Sequence, residues 1–301
     1  MSDNHSHAEA LGKRLLLSML INLLIPALQI IGGILAGSVA LLSDAVHNLG
    51  DFTALLVAYL ANKVSRRGPS ARHTFGLRRV EILATVINSA LLGGAAVYIA
   101  VEALHRLAHP TDVSVNLVIW FALIGIVGNG LSAILLHKDS GQSLNARGAF
   151  LHMLGDLLTS VAVLTGALIM RFFEFPWIDP VLSLVIVAYI SYNSVLLLKA
   201  AIHVLMDGTP KGVDLETVRA EIEAISGVNS VHYMHAWSLE EKPLALTCHM
   251  VVGDQLISTS KTLIEMIYTN LLERFEINHP VLQFETKVCG QGQLLCQMIS
   301  E

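Results

Sequence analysis

His47 and Asp51 stand four residues apart inside an apolar run, SDAVHNLGD. The same spacing returns further along as His152 and Asp156, in FLHMLGD. On an α-helix, residues i and i+4 share a face. Two such helices turned toward each other bring two imidazoles and two carboxylates together, the ligand count of a tetrahedral divalent metal. Neutral imidazole and carboxylate suit Zn2+, and the ion offsets two aspartate charges that would otherwise sit in low dielectric. When the ion leaves, the same lone pairs take up protons, because metal and proton compete for them. Histidine titrates near neutral pH, so a site of this composition is a natural proton–metal exchanger. A single His–Asp pair can also do no more than stitch two helices together; two pairs at one spacing on separate runs weigh for the metal. The H-E-x-x-H of an intramembrane metallohydrolase is absent, and no enzyme activity is expected.

These side chains need helices to position them, and the composition says in what solvent. The chain of 301 residues is 53% hydrophobic and 14% charged, against roughly 25% charged for a soluble domain. Its apolar residues are concentrated before position 206. Runs of about 20 apolar residues are candidate membrane spans, and six are read: Leu15–Ala36, Ser38–Ala61, Ile82–Leu104, Val115–Leu136, Ala146–Met170 and Val181–Leu198. The first is too long for a signal-peptide core and no clear small-residue cleavage site follows it, so it reads as a span. The second carries Asp44, His47, Asn48 and Asp51, and ionisable groups at that depth face a bundle interior or cavity. Gly33 and Gly37 in the first span form a small-residue pair suited to close helix contact, as do Gly93 to Ala96 in the third and Gly125, Gly128 and Gly130 in the fourth.

Loop charge sets the orientation. Lys13, Arg14, Lys63, Arg66, Arg67, Arg72, Arg78, Arg79, Lys138, Arg147 and Lys199 fall on one side of the spans, and only Arg106 and Arg171 on the other. Under the positive-inside rule both termini are cytoplasmic. The second span then runs inward and the fifth outward. Their His–Asp pairs lie ~16 Å from the outer end and ~12 Å from the inner end at 1.5 Å per residue. Together these fill the ~30 Å hydrocarbon thickness, so the pairs meet near one depth.

Three parts are expected: a polar arm over residues 1–13, a transmembrane domain over 14–207, and a soluble domain over 208–301 that opens after Gly208-Thr209-Pro210. In the last, Leu215, Val218, Ile222 and Ile225 make one helical stripe, and Leu263, Ile267, Leu271 and Phe275 another. Val228–Leu239, Leu244–Val252 and Val281–Val288 read as strands, giving the order αββαβ with both helices on one sheet face. This tail holds all three cysteines, Cys248, Cys289 and Cys296, an odd count that argues against structural disulfides. With His232, His235, His249, His279 and Glu285 they make a second candidate metal-binding set. Neither half carries a nucleic-acid-binding signature.

Taken in order, SDAVHNLGD, RHTFGLRRVEIL, FLHMLGDLLTSVAVL, WIDPVLSLVIV, VLMDGTP and VHYMHAW resemble the cation diffusion facilitator family, in its zinc-transporting branch, over nearly the whole chain. The resemblance implies a homodimer of six-helix transmembrane bundles with cytoplasmic ferredoxin-like α+β domains. It implies export of Zn2+ from the cytosol against protons by alternating access, with His47, Asp51, His152 and Asp156 as transport ligands. It further implies a cytoplasmic zinc site of His232, His249, Glu285, Cys289 and Cys296, to which His5 or His7 of the arm is added in some members. The family's loop site after the second span is matched by His73, while its second position here is Leu77. A charged lock maps onto Arg79 and Asp207. The alternatives are transport of Cd2+, Co2+, Ni2+ or Mn2+, or a membrane zinc sensor that transports nothing. The short chain without a histidine-rich loop points to a bacterial inner membrane.

Overall fold

In a computed structural model of the chain, the described residues are 20–65, 68–137, 144–173, 175–239, 244–290 and 292–295. His5, His7 and Cys296 lie outside them, as do Arg66, Arg67 and the turn Glu240–Pro243. The chain divides into two compact units, one of residues 1–60 and 84–198, the other of residues 61–83 and 199–301.

The first unit is helical. Its helices are α1 (Leu20–Ala36), α2 (Val39–Ser65), α3 (Val80–Ala108), α4 (Val115–His137), α5 (Leu144–Phe173) and α6 (Ile178–Leu205). Four of them, α3 to α6, are long and apolar enough to cross a membrane. In α2 the buried or half-buried Asp44, His47, Asn48 and Asp51 interrupt the apolar run. The helices outrun the apolar stretches that announce them: α6 starts at Ile178 and continues through Lys199 to Leu205. Polar residues at the ends extend a helix that an apolar core nucleates.

Gly37 is not a packing residue. Its φ of +67° makes it the left-handed turn that lets α2 follow α1 across only Gly37 and Ser38. Gly33 does pack: a Cβ there would meet Leu42 at 2.7 Å. Gly93 and Gly94 have open space beside them, and of that patch Ala96 alone is buried. The core of the unit is small and branched, centred on Ala36, Ala40, Ala96, Ala122, Val163 and Ala167.

The second unit carries α7 (Leu215–Glu223), β1 (Val228–Ser238), β2 (Leu244–Val252), α8 (Ile257–Phe275) and β3 (Ile277–Glu285). The sheet order is β1-β2-β3, with β1 antiparallel and β3 parallel to β2. Asp214 caps α7 by accepting from the Thr217 hydroxyl and N–H, and these bonds hold its carboxyl below the usual range. Val218 and Ile222 of α7, and Leu263, Ile267 and Leu271 of α8, pack onto Met234, Leu246 and Met250 of the sheet.

The third strand starts four residues earlier than its apolar pattern and ends at Glu285, not Val288. Glu276 closes α8 in the left-handed conformation, φ 56°, and the chain enters the sheet at once, Ile277 opposite Leu244. Pro280 sits within β3 because that strand is an edge, where a missing N–H breaks no ladder.

Candidate metal centres

The α2 and α5 faces meet as their spacing requires. His47 Nδ1 lies 3.4 Å from Asp51 Oδ2, and its Nε2 lies 3.6 Å from Asp156 Oδ1. His152 Nε2 lies 3.5 Å from Asp51 Oδ2 and 3.7 Å from Asp156 Oδ2. Each imidazole thus faces both carboxylates. These separations are long for hydrogen bonds. One ligand atom each of His47, Asp51 and Asp156 lies within 4.8 Å of the others, and His152, which reaches both carboxylates, stands outside that group. Asp51 Oδ2 and Asp156 Oδ1 are buried and have no hydrogen-bond partner. Buried carboxylate oxygens left bare call for a cation. The side chains are unequally covered, with Asp51 30% and His152 38% exposed against 14% for His47 and 4% for Asp156. Tyr189 of α6 sets its ring edgewise to His47, 5.8 Å between centroids.

Asp44, on the same face of α2, is not bare. It accepts from Gln29 Nε2 at 2.7 Å, Thr159 Oγ1 at 2.8 Å and Ser160 Oγ at 3.0 Å, and Asn48 Nδ2 in turn donates to Gln29 Oε1 at 3.1 Å. Asp179 is likewise engaged at the start of α2, where it accepts from the Ser38 hydroxyl and from the N–H groups of Val39 (2.7 Å) and Ala40 (3.4 Å). Arg106 donates to the Gly37 carbonyl and to Glu102 beside it. Gln29 has no place in any sequence motif, and Thr159, Ser160 and Asp179 enter only as members of longer motifs, with no role of their own. A lone amide or hydroxyl in an apolar run carries no spacing signal; Asp179 did carry one, as an acid at membrane depth.

In the second unit His232, His249, Glu285 and Cys289 place one ligand atom each within 4.8 Å of one another. Register explains it: His232 is opposite His249 across β1 and β2, and β3 runs beside His249 to end in Glu285. His249 Nδ1 is 2.7 Å from Glu285 Oε1 and 3.2 Å from Cys289 Sγ; His232 Nε2 is 3.3 Å from both Glu285 Oε2 and Cys289 Sγ. Burial pushes the Glu285 carboxyl up, but its bonds with Cys289 and His249 outweigh this and hold it below the usual range. The mixed N, O and S donor set fits Zn2+. A bulge after His232, with Tyr233 at φ 50°, stacks Tyr233 edgewise on both imidazoles.

Cys248 stands apart. It is buried in the apolar core, which pushes its thiol up to about 12 and keeps it protonated, unfit as a ligand. His235 and His279 are also outside the cluster. His73 is exposed in a turn, bonded to Ser70, and among the described residues it joins no group of metal-ligating side chains. With Arg79, Asp207, His235 and Trp237 it lines a cavity of about 880 Å³ in the second unit. Arg79 and Asp207 do pair, at a substantially exposed position. Arg79→Ala is therefore expected to cost less than about 1 kcal/mol of stability, measured by denaturant unfolding in detergent.

The sequence profile of the cation efflux transmembrane domain matches residues 15–206, and that of the cation efflux protein cytoplasmic domain matches residues 210–287. The chain is 38% identical, over all of its length and 97% of the relative's, to a Bacillus velezensis protein named cadmium, cobalt and zinc/H(+)-K(+) antiporter. It is 36% identical to the metal cation efflux system protein CzcD of Cupriavidus metallidurans, over 88% of this chain and 83% of that one. With the zinc transporter ZitB of Escherichia coli it shares 35% identity over 96% and 94% of the two chains. The resemblance to the zinc-transporting cation diffusion facilitators is thereby borne out.

Proposed function

The chain belongs to the cation efflux family of integral membrane transporters, and from that premise we propose that it exports Zn2+ from the cytosol in exchange for protons. The cation binds at His47, Asp51, His152 and Asp156. The observation that carries this reading is the mutual facing of both imidazoles with both carboxylates at 3.4–3.7 Å, with two carboxylate oxygens left bare. Two aspartates and two neutral histidines bind Zn2+ with no net charge left over. Protons that enter from the opposite face compete for the same atoms and release it. Alternating exposure of the one site then couples the two fluxes.

The loop charges support cytoplasmic termini, the six apolar runs support a six-span bundle, the short chain without a histidine-rich loop supports a bacterial inner membrane, and the αββαβ order supports a ferredoxin-like tail. The tail's match to the family's cytoplasmic domain supports a homodimer in which zinc at His232, His249, Glu285 and Cys289 tightens the pairing. His5, His7 and Cys296 are retained as further ligands of that site. Replacing Cys289 by serine, in full-length protein whose transport site is disabled by Asp51→Ala, is expected to weaken residual zinc binding by about tenfold or more in titration calorimetry.

The deciding experiment is zinc-dependent proton movement in proteoliposomes. Zinc flux with opposite proton flux is expected, and zinc binding to the tetrad should weaken as pH falls. Zinc binding without flux would instead make the protein a sensor. The name of the Bacillus relative favours one second reading, in which Cd2+ and Co2+ share the site and K+ joins the counter-flux. Competition by each cation, with and without a K+ gradient, separates the readings.

A further inference from the structure

The tetrad is covered unevenly along the bundle. Its two members toward the start of α2 and the end of α5, His47 and Asp156, are nearly closed off. Asp51 and His152, one turn toward the other end, are partly open. Asp44 lies one turn beyond His47 on the closed side, and Thr159 and Ser160 one turn beyond Asp156. Asp44 is fully buried and ties α1, α2 and α5 together through Gln29, Thr159 and Ser160. Gly125 of α4 fits against this knot: a Cβ there would meet Gln29 Nε2 at 2.6 Å and Ser160 Oγ at 2.8 Å. Further out, Ser43 bonds Ser183 of α6 at 2.7 Å. On the other side of the tetrad Asp51 and His152 keep 30% and 38% of their side chains exposed.

A cation held by the tetrad thus has two partly exposed ligands on one side and a knot of hydrogen bonds on the other. We propose that Asp44, with Gln29, Thr159 and Ser160, is the closed gate of the transporter, which must part for the ion to leave at the end where α2 begins. This rests on the transport reading above. The gate is made of polar bonds because such bonds have two states: made within the protein, or exchanged for water when the helices separate. Apolar packing alone offers no such partner when it opens. Under the charge-based orientation this is the outer gate, and the structure is open to the cytosol. Asp44 positions helices and does not ligand the ion; its carboxylate oxygens are all committed to donors.

Val163, one further turn along α5 and 1% exposed, reports on the gate. The membrane-spanning unit has no native cysteine, so Val163→Cys can be labelled by a membrane-impermeant thiol reagent in full-length protein in proteoliposomes. Asp44→Ala is expected to raise the labelling rate from the α2-start side by roughly tenfold. The same variant should leave zinc affinity of the tetrad within about threefold and cut zinc flux by roughly tenfold or more. Asp44→Asn, which keeps one acceptor, should give smaller changes. Gly125→Ala, which alters neither the knot's residues nor the tetrad, should reproduce the labelling increase by wedging Gln29 from Ser160. Labelling that stays unchanged in Asp44→Ala and Gly125→Ala, with both proteins folded by size-exclusion and zinc titration, overturns the gate. Absence of zinc flux in the parent protein overturns the transport reading instead, and the labelling comparison still decides whether the knot seals that end.

Discussion

Zinc flux in proteoliposomes is expected to fall at least about 100-fold when Asp156 is replaced by asparagine, with folding unchanged. The substitution is nearly isosteric. It leaves the apolar packing of α5 in place and removes one negative charge together with one acceptor oxygen. Asp156 Oδ1 is buried without a partner and looks toward His47, while Oδ2 looks toward His152. An amide nitrogen in either place turns a donor toward the cation's position and leaves the site with a net positive charge when Zn2+ is present. Asp51→Asn should do the same, because Asp51 joins the two histidines from the open side. The Asp44 knot is independent of both carboxylates, so α1, α2 and α5 keep their arrangement in either variant. Size-exclusion behaviour and helical content check the fold, and counterflow of zinc and protons checks the loss. Normal flux with both carboxylates neutralised would refute the proposed ligand set.

The largest expected effect on stability lies elsewhere, at Asp179. Its carboxylate accepts from the Ser38 hydroxyl and the first two N–H groups of α2, all buried. A helix start in a low-dielectric bundle leaves donors that water cannot reach, and an acid there also complements the positive end of the helix. Asp179→Ala is expected to cost roughly 3 kcal/mol, combining a lost cap with buried donors left unpaired. Asp179→Asn, which retains one acceptor, should cost less. Denaturant unfolding in detergent measures both. The comparison with Arg79→Ala is instructive: that pair also joins distant residues, but it is substantially exposed, so its expected cost is smaller by severalfold.

The meeting of His47, Asp51, His152 and Asp156, the proposed transport ligands, was legible in the sequence because two physical rules converge on them. A charge in an apolar span is costly, so it announces itself, and the i, i+4 spacing states which face it shares. The tail's first two strands were legible for a similar reason, since apolar residues recur along β1 and β2 in spite of two register shifts, between Val228 and Ser230 and between His232 and His235. What stayed hidden is instructive. Gln29, Thr159 and Ser160 are neutral, common and cheap in a helix, and nothing in one chain pairs them with Asp44. The beginning of β3 was hidden because Asn278-His279-Pro280 has turn composition, and only the edge position of the strand makes it acceptable. Gly93 and Gly94 read as a contact patch, yet small residues permit approach without compelling it.

The bulge in β1 has a consequence for assembly. Tyr233 N–H donates to the Gln293 carbonyl at 3.1 Å and Met234 N–H to that of Leu294 at 2.7 Å. The chain after Cys289 therefore returns to lie along the outer side of β1, which is the free margin of the sheet. An unprotected margin invites a neighbouring molecule to add a strand, the first step of uncontrolled aggregation. Here Gln293 and Leu294 occupy that place beside the bulge, so a truncation at Gly290 would both unfasten the segment that follows Cys289 and leave a sticky edge facing the solvent.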